Sequence, residues 1–328
     1  MTARAAHGEP EGSVAGPPRT VTVVICAYTG DRWGLLLRSI GSVCRQRRVP
    51  DQVLVVIDHN DELLERTRAS ASSDVEVTAS TGPPGLSGAR NTGARLARGD
   101  VVAFLDDDAE ADPGWLEALL SRYGAGVAGT GGVAVPVWPA RGRPRWFPPE
   151  FDWVVGCSYT GLPVTVAPQR NLIGAAMSFR RSVFDAVGAF DTDMGRIGSL
   201  PLGCEETEFA IRLGRTLPGA QLLHVPDAVV HHHVAEQRTT VRYFLRRCYA
   251  EGISKAAVAR RAGRDRALSS ERDYVLFTLP QGILGGLASG LRGELWGFAR
   301  AGMICIGLGA TGAGYLAGAS RSTELLPT

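Results

Sequence analysis

Three nearly continuous apolar runs of strand length restrict this chain to a small group of folds. The runs are residues 23–28, 53–57 and 101–105, and helical patterns lie between them at Trp33–Cys44 and residues 91–97. A strand that is apolar along its whole length is typical of a parallel sheet with helices on both faces. Strands and helices that alternate at this spacing therefore predict an α/β fold built from βαβ units.

Acidic residues stand at the ends of two of these runs. Asp58 follows the second run directly, and Asp106, Asp107 and Asp108 follow the third. In open α/β sheets ligands bind beyond the carboxyl ends of the strands, so both positions belong to one predicted crevice. Adjacent carboxylates repel one another and raise one another's pKa unless a cation such as Mg²⁺ or Mn²⁺ neutralises them. The acidic run therefore predicts a metal site, with a solvated acidic turn as the alternative.

A series of ordered motifs around the third run resembles glycosyltransferase family 2. Residues 85–93 read Gly-Leu-Ser-Gly-Ala-Arg-Asn-Thr-Gly, and residues 97–108 join an Ala-Arg-Gly-Asp turn to a strand that ends in an Asp-x-Asp motif. The other matching segments are 23–28, 55–58, 187–191 and 203–209. The resemblance covers about residues 21–235 and implies the GT-A fold, a Rossmann-like, mostly parallel sheet flanked by helices.

The activity implied by this resemblance is that of a metal-dependent, inverting glycosyltransferase of the hexosyltransferase type. UDP-sugars are the expected donors, with GDP-mannose next, and Mn²⁺ or Mg²⁺ is the expected cofactor. The acceptor would be a glycan, a natural product or a polyprenyl phosphate. One alternative is a sugar-nucleotide nucleotidyltransferase, although residues 29–32 read Thr-Gly-Asp-Arg where that class has a glycine-rich basic loop. The other is a non-catalytic carbohydrate-binding protein on the same fold.

The resemblance also implies roles for single residues. Ala27, Tyr28 and Asp58 would line the nucleotide base pocket, and Arg90 would lie near the nucleotide or its diphosphate. Asp106 would face the ribose and the metal ion. Asp108 would bind the metal ion on the diphosphate. For Tyr28 the structural alternative is a core aromatic residue, and for Arg90 it is a surface ion pair.

The expected catalytic base departs from the family pattern Gly-Glu-Asp-x-Glu, because residues 203–208 read Gly-Cys-Glu-Glu-Thr-Glu. If Glu206 takes the position of the aspartate, it would deprotonate the acceptor hydroxyl for direct displacement at the anomeric carbon. Glu205 is the rival, and acidic capping of a helix N-terminus is the alternative. Helical spacing places Glu205 and Glu208 on one face, with Glu206 pointing elsewhere.

Three consecutive histidines end the next predicted strand pair, residues 221–225 and 228–233. Some relatives supply a metal ligand from a histidine after this strand, so His232 is the predicted third ligand. Strand alternation would then place His231 and His233 on the opposite side. A solvated histidine cluster is the alternative.

Two further regions are expected to contact the acceptor or the diphosphate. Residues 136–171 are aromatic and lack periodicity, which indicates a functional loop, and Trp138 and Trp153 could stack on a sugar ring or a lipid. Beyond Thr239 the pattern is helical and basic, with Arg246 and Arg247 available to a diphosphate or a phosphorylated acceptor. An amphipathic surface helix is the alternative there.

The predicted organisation is a disordered tail (1–20), a GT-A domain (21–235) and a C-terminal helical extension (236–328). The tail lacks the apolar segment of a signal peptide. Residues 301–320 carry no charge and reach the length of about 20 residues that spans a bilayer, but they are dense in glycine. We expect them to pack on the protein or to contact a membrane surface, and a true membrane span is the alternative. The expected location is the cytoplasm, peripheral to the inner face of the plasma membrane.

Charge and cysteine usage exclude other classes of function. The net charge is +2, which argues against a nucleic-acid-binding protein. The six cysteines are scattered without a Cys-x-x-Cys pair, which argues against a zinc site or a disulfide framework.

Overall fold

A mixed β-sheet organises the residues that the computed structural model describes, which are 18–193, 204–262 and 272–320. Its first half is parallel, in the order β3-β2-β1-β4. These strands are β1 (Val21–Ala27), β2 (Gln52–Ile57), β3 (Val75–Ala79) and β4 (Val101–Asp106). The three predicted apolar runs fall in β1, β2 and β4, so the predicted α/β class is confirmed.

Helices cover both faces of the parallel strands, as the continuous apolar runs require. They are α1 (Trp33–Cys44), α2 (Asp61–Ser70) and α3 (Leu86–Leu96). On α1 the buried residues Leu36, Ile40 and Val43 recur every three to four positions and face the sheet. Side chains of β1 alternate between two core clusters, with Val23 in one and Val24 in the other. The carboxyl ends of the parallel strands therefore meet at one edge.

The second half of the sheet is mixed, in the order β4-β8-β6-β9-β5, with β7 beside β9. Its strands are β5 (Ala109–Ala111), β6 (Val127–Val137), β7 (Ala167–Pro168), β8 (Ala176–Arg180) and β9 (Gln221–His233), and its helices are α4 (Trp115–Leu120), α5 (Arg181–Val187) and α6 (Glu205–Thr216). The prediction of two short strands at 221–225 and 228–233 is wrong, because both belong to β9. Antiparallel β5 pairs with the end of β9 and brings the histidines to the acidic run.

Among the described residues, three α-helices follow the sheet: α7 (Val241–Ala262), α8 (Leu279–Leu291) after a π-helical turn at Tyr274–Thr278, and α9 (Trp296–Ser320). Helix α9 packs along α7 at glycines. A Cβ atom on Gly252 would meet the backbone oxygen of Thr311, and one on Gly314 would meet the backbone oxygen of Tyr249. The two backbones are therefore in direct contact, which fixes α9 on the rest of the protein.

Two of the described helical segments, Tyr274–Leu291 and Trp296–Ser320, are long and apolar enough to cross a membrane by length and composition. In the most apolar 18-residue window of each segment, only 17% of the first and 33% of the second is buried inside the protein. Both segments thus leave much apolar surface uncovered.

Candidate active site

The acidic run and the histidines are brought together by strand pairing. Strand β4 ends at Asp106, and β5 begins at Ala109, directly opposite His232 of β9. The backbone N–H of His233 donates to the carbonyl oxygen of Asp108 over 2.8 Å. His232 consequently lies beside Asp108, with 3.2 Å between Nε2 and Oδ1.

Asp106, Asp108 and His232 form a group that suits a divalent metal ion. Each offers one ligand atom, and these atoms lie within 4.8 Å of one another. Two carboxylates and one imidazole are suitable ligands for Mn²⁺. They suit Mg²⁺ less well, because Mg²⁺ prefers oxygen ligands. The alternation predicted along β9 is confirmed, since Nε2 of His231 lies 2.8 Å from Asp112 and that of His233 lies 2.6 Å from Glu110.

Charge in this group is tightly balanced. Burial disfavours an ionised Asp108, but the charges of His232 and Arg32 prevail and hold its pKa well below the usual range. Burial also opposes the charge on His232, yet Asp108 raises the pKa of His232 to about 10. For Asp107 burial dominates and raises the pKa, and its buried Oδ2 has no hydrogen-bond partner among the described residues. The unsatisfied buried oxygen of Asp107, next to Asp106 and Asp108, is consistent with a site that accepts a further cation.

Two glutamates approach this group from the first turn of α6. Arg90, only 2% exposed, places Nη1 3.3 Å from Glu205 and 3.0 Å from Glu206, and Nη2 3.5 Å from Asp106. The expectation that Glu206 points away from Glu205 is wrong, because both long side chains turn toward the same buried cation. Glu208 instead binds Arg212. One guanidinium therefore connects the predicted metal site with both candidate bases.

The environment of Glu205 differs from that of Glu206. Burial, and next the charge of Glu206, raise the pKa of Glu205 to about 7 against the opposing charge of Arg90. Its buried Oε2 has no hydrogen-bond partner within the described ranges. The side chain of Glu206 is 19% exposed, compared with 7% for Glu205, so Glu206 is the more accessible.

The backbone turn before these glutamates is unusual. Cys204 precedes α6 with φ = 79°, a left-handed backbone conformation that residues other than glycine rarely adopt. The residue is held in place by its burial against Ile211 and Val258. This turn directs the first residues of α6 toward Arg90.

A cavity of about 670 Å³ joins these groups. Eight of the predicted site residues line it: Arg90, Asp106, Asp108, Trp153, Glu205, Glu206, His232 and Arg247. The other five lie outside its lining: Ala27, Tyr28, Asp58, Trp138 and Arg246.

The five residues outside the lining have other surroundings. Ala27 is buried at the end of β1, and Tyr28 is exposed beside it with the Arg32 guanidinium 5.0 Å from its ring centre. Asp58 accepts a hydrogen bond from the backbone of Gly85. Trp138 packs on Phe147, and Arg246 lies on the exposed side of α7. Trp138 and Arg246 therefore lie outside the cavity lining, and their contacts with the acceptor or the diphosphate stay predictions.

Sequence reasoning missed three residues of the site. Arg32 lies 2.5 Å from Asp108 and 3.0 Å from Asp107, and Arg238 lies 4.0 Å from Asp108. The position of Arg32 just beyond a parallel strand is a signal that could have identified it. Gly174 also lines the cavity, and a Cβ atom there would collide with the Glu206 carboxylate.

Comparison with known proteins gives consistent matches. The family model described as Glycosyl transferase family 2 matches residues 22–188. A glucosyl-dolichyl phosphate glucuronosyltransferase of Haloferax volcanii is 35% identical over 239 residues, which are 72% of this chain and 76% of that protein.

Two solved structures share the fold at 19% identity. A mannosyltransferase from Pyrobaculum calidifontis, in complex with GDP-Man and Mn²⁺, superposes with a TM-score of 0.59 over 92% of this chain and 89% of that one. The GalNAc-T7 structure with UDP, GalNAc and Mn²⁺ superposes with a TM-score of 0.51 over 78% of this chain. The match spans about half (54%) of the GalNAc-T7 chain.

Proposed function

The chain belongs to glycosyl transferase family 2, and on that premise we propose that its cavity moves a sugar from a nucleoside diphosphate to an acceptor oxygen, with inversion. The observation that carries the proposal is the convergence of Asp106, Asp108 and His232 with the Glu205–Glu206 pair around Arg90. A leaving-group site and a base thus face one cavity.

The donor diphosphate belongs beside the acidic run. Asp106, Asp108 and His232 would hold Mn²⁺ or Mg²⁺, which when bound stabilises the negative charge that develops on the leaving nucleoside diphosphate. Arg32 and Arg238 stand next to Asp108 and can bind phosphate oxygens.

The nucleoside lies toward the ends of β1 and β2. Ala27 would let the base approach the backbone, the exposed ring of Tyr28 would stack on it, and Asp58 would bind its edge. Asp106 would also face the ribose. A UDP-sugar is the proposed donor, with GDP-mannose second, and the complexes of the two neighbours with UDP and GDP-Man support these two classes.

Glu206 is the proposed base, because it is the more exposed of the two carboxylates. It would take the proton of the acceptor hydroxyl as that oxygen bonds to the anomeric carbon. The bond from this carbon to the diphosphate breaks on the opposite side, and its electron pair leaves with the diphosphate. Glu205 is the rival, since a pKa of about 7 suits a base at neutral pH.

The acceptor would enter between the aromatic loop and α7, where Trp153 and Arg247 line the cavity. Its class is a glycan, a natural product or a polyprenyl phosphate. Residues 21–235 would form the catalytic domain and 236–328 the helical extension, which also contributes to the cavity. The uncovered apolar surface of α8 and α9 supports contact with a membrane. The proposed location is the cytoplasm, at the inner face of the plasma membrane.

Thermal unfolding with UDP or GDP, with and without Mn²⁺, tests the donor site. We expect a nucleotide-induced shift that requires Mn²⁺ and is lost in Asp108→Asn. An equal shift without metal would contradict the role of Asp108.

Release of nucleotide from UDP-sugars and GDP-mannose tests the base. Glu206→Gln should lower turnover by about 10²- to 10⁴-fold while Mn²⁺–UDP binding persists. Glu208→Gln is the matched control, because Glu208 binds Arg212 outside the cavity. Turnover lost only in Glu205→Gln would assign the base to Glu205, and turnover retained in both would refute the site.

A further inference from the structure

Arg32 places its charge on the last two aspartates of the acidic run. Its Nη1 lies 2.5 Å from Oδ2 of Asp108 and 3.0 Å from Oδ1 of Asp107. The side chain of Arg32 is 20% exposed, compared with 5% for Asp107 and 6% for Asp108. It reaches them from the single helical turn Gly30–Arg32, which follows β1 and precedes α1. Arg32 is therefore the accessible partner of two buried carboxylates.

Both carboxylate oxygens of Asp108 already contact side-chain nitrogen atoms. Oδ2 pairs with Arg32, and Oδ1 lies 3.2 Å from Nε2 of His232. His232 belongs to the group that suits a metal ion, so both side chains can turn their ligand atoms to one ion. Arg32 cannot do so, because a guanidinium is always charged and has no acceptor atom. A metal ion on Asp108 therefore competes with Arg32 for the same carboxylate, and the two positive charges repel each other.

The surroundings of Arg32 provide another place for its guanidinium. Arg32 lines the cavity, and the exposed ring of Tyr28 has its centre 5.0 Å from the guanidinium. Tyr28 belongs to the proposed nucleoside site, and Asp108 to the proposed diphosphate site. Arg32 thus contacts both parts of the donor site. A diphosphate held there brings phosphate oxygens near the guanidinium, which can bind two of them at once.

We propose that Arg32 makes metal binding depend on the donor, because its guanidinium holds Asp107 and Asp108 until a nucleoside diphosphate binds and then moves to a phosphate oxygen. This inference rests on the proposed function and adds a residue that couples its two ligands. The move frees Oδ2 of Asp108 and adds a contact to the diphosphate. Arg32 therefore opposes the metal ion alone and favours the metal ion together with the donor. The coupling is reciprocal, since a nucleotide that strengthens metal binding is itself held more tightly when the metal ion is present.

Two binding measurements on the full chain test this inference. The first is a titration with Mn²⁺ in the absence of nucleotide, followed by the paramagnetic resonance signal of free Mn²⁺. Arg32→Gln should bind Mn²⁺ about tenfold more tightly than the unmodified chain, because the competing charge is gone. The second is calorimetry with UDP at saturating Mn²⁺. Here the same variant should bind UDP about tenfold more weakly, because it lacks a charge-assisted hydrogen bond to the diphosphate.

The opposite signs of the two changes distinguish coupling from a structural role. If Arg32 only kept the acidic run in shape, its removal would weaken the binding of both Mn²⁺ and UDP. Arg38→Gln is the matched control, because Arg38 on α1 pairs with Glu110 outside the cavity lining. Neither affinity should change in that variant. Arg32→Lys keeps the charge without the planar fork, so both changes should be smaller, and this variant decides if Arg32→Gln does not fold.

Three results would count against parts of this scheme. Mn²⁺ affinity that is unchanged or lower in the Arg32 variants would overturn the inference. Tighter Mn²⁺ binding with unchanged UDP affinity would overturn the move to the diphosphate. Failure of the unmodified chain to bind UDP or GDP with Mn²⁺ would instead refute the donor site, and the titrations without nucleotide would then decide whether Arg32 opposes the metal ion.

Discussion

Replacing Arg90 by methionine removes a buried cation from among three carboxylates. The guanidinium contacts Asp106, Glu205 and Glu206 at 3.0 to 3.5 Å and is almost fully buried. Methionine keeps most of the side-chain length without the charge. Removing one partner of a buried ion pair costs about 3–5 kcal/mol, so we expect a loss of that size in the free energy of unfolding at pH 8.

The loss should depend on pH because Glu205 titrates in the accessible range. Burial already raises its pKa to about 7 in the presence of Arg90, and without Arg90 the pKa rises further. A folded-state pKa above the unfolded one means that the folded state binds more protons, so stability falls as pH rises between the two values. At pH values above the folded-state pKa of Glu205, each unit by which that pKa rises further lowers the free energy of unfolding by about 1.4 kcal/mol. The difference between the two proteins should therefore be small at pH 5, where Glu205 is protonated in both, and large at pH 8.

Urea unfolding at pH 5 and pH 8, with a chelator present, measures this difference. Arg98→Met is the control, because Arg98 and Glu76 form a solvent-exposed ion pair, and such pairs contribute little to stability. The stability difference between Arg98→Met and the unmodified protein should be the same at pH 5 and at pH 8. An Arg90→Met loss of equal size at both pH values would refute the idea that Arg90 neutralises the glutamates.

Three further substitutions test the local geometry. Gly174→Ala puts a methyl group where the Glu206 carboxylate and the Arg90 guanidinium lie, so turnover should fall by about 10²-fold. Cys204→Val forces a β-branched residue into a left-handed conformation and should be less stable than Cys204→Gly by about 1–3 kcal/mol in urea unfolding. Gly252→Val should lower the thermal unfolding midpoint because it separates α7 from α9, whereas Gly309→Ala, in open space on α9, should not lower it.

The parallel half of the fold could be predicted because burial on both faces leaves a sequence signature. Strands β1, β2 and β4 are almost wholly buried, so nearly every residue in them is apolar. Strand β3 lies at the edge of the sheet and is mostly exposed or half-buried. Its sequence, Val-Glu-Val-Thr-Ala, carries no comparable run, and no strand was predicted there. The visibility of a strand in the sequence thus depends on how much of it is buried.

Only the site residues that belong to local sequence motifs could be predicted. Motif order identified Asp106, Asp108 and the Glu205–Glu206 pair, each at the end of an element. The direction of Glu206 was predicted incorrectly because helical spacing gives only the direction in which a side chain leaves the helix. The position of the Glu206 carboxylate depends on its ion pair with Arg90, which is more than a hundred residues away in sequence. Gly174 was missed for the same reason, since its role depends on tertiary contacts.

The choice of His232 over its neighbours depends on an irregularity earlier in β9. Pairing with β6 shifts between Gly131, opposite His224, and Val133, opposite Val229, so β9 has three more residues than β6 in this interval. An odd number of extra residues reverses which side chains face which side of the sheet. Before the shift Val225 reaches the core cluster that contains α1, and after it Ala228 and Val230 do. Without the shift, His231 and His233 would occupy that side and His232 would face away from Asp108. Pro226, which cannot donate to a ladder, lies in this interval, and the register shift there determines which histidine reaches the acidic run.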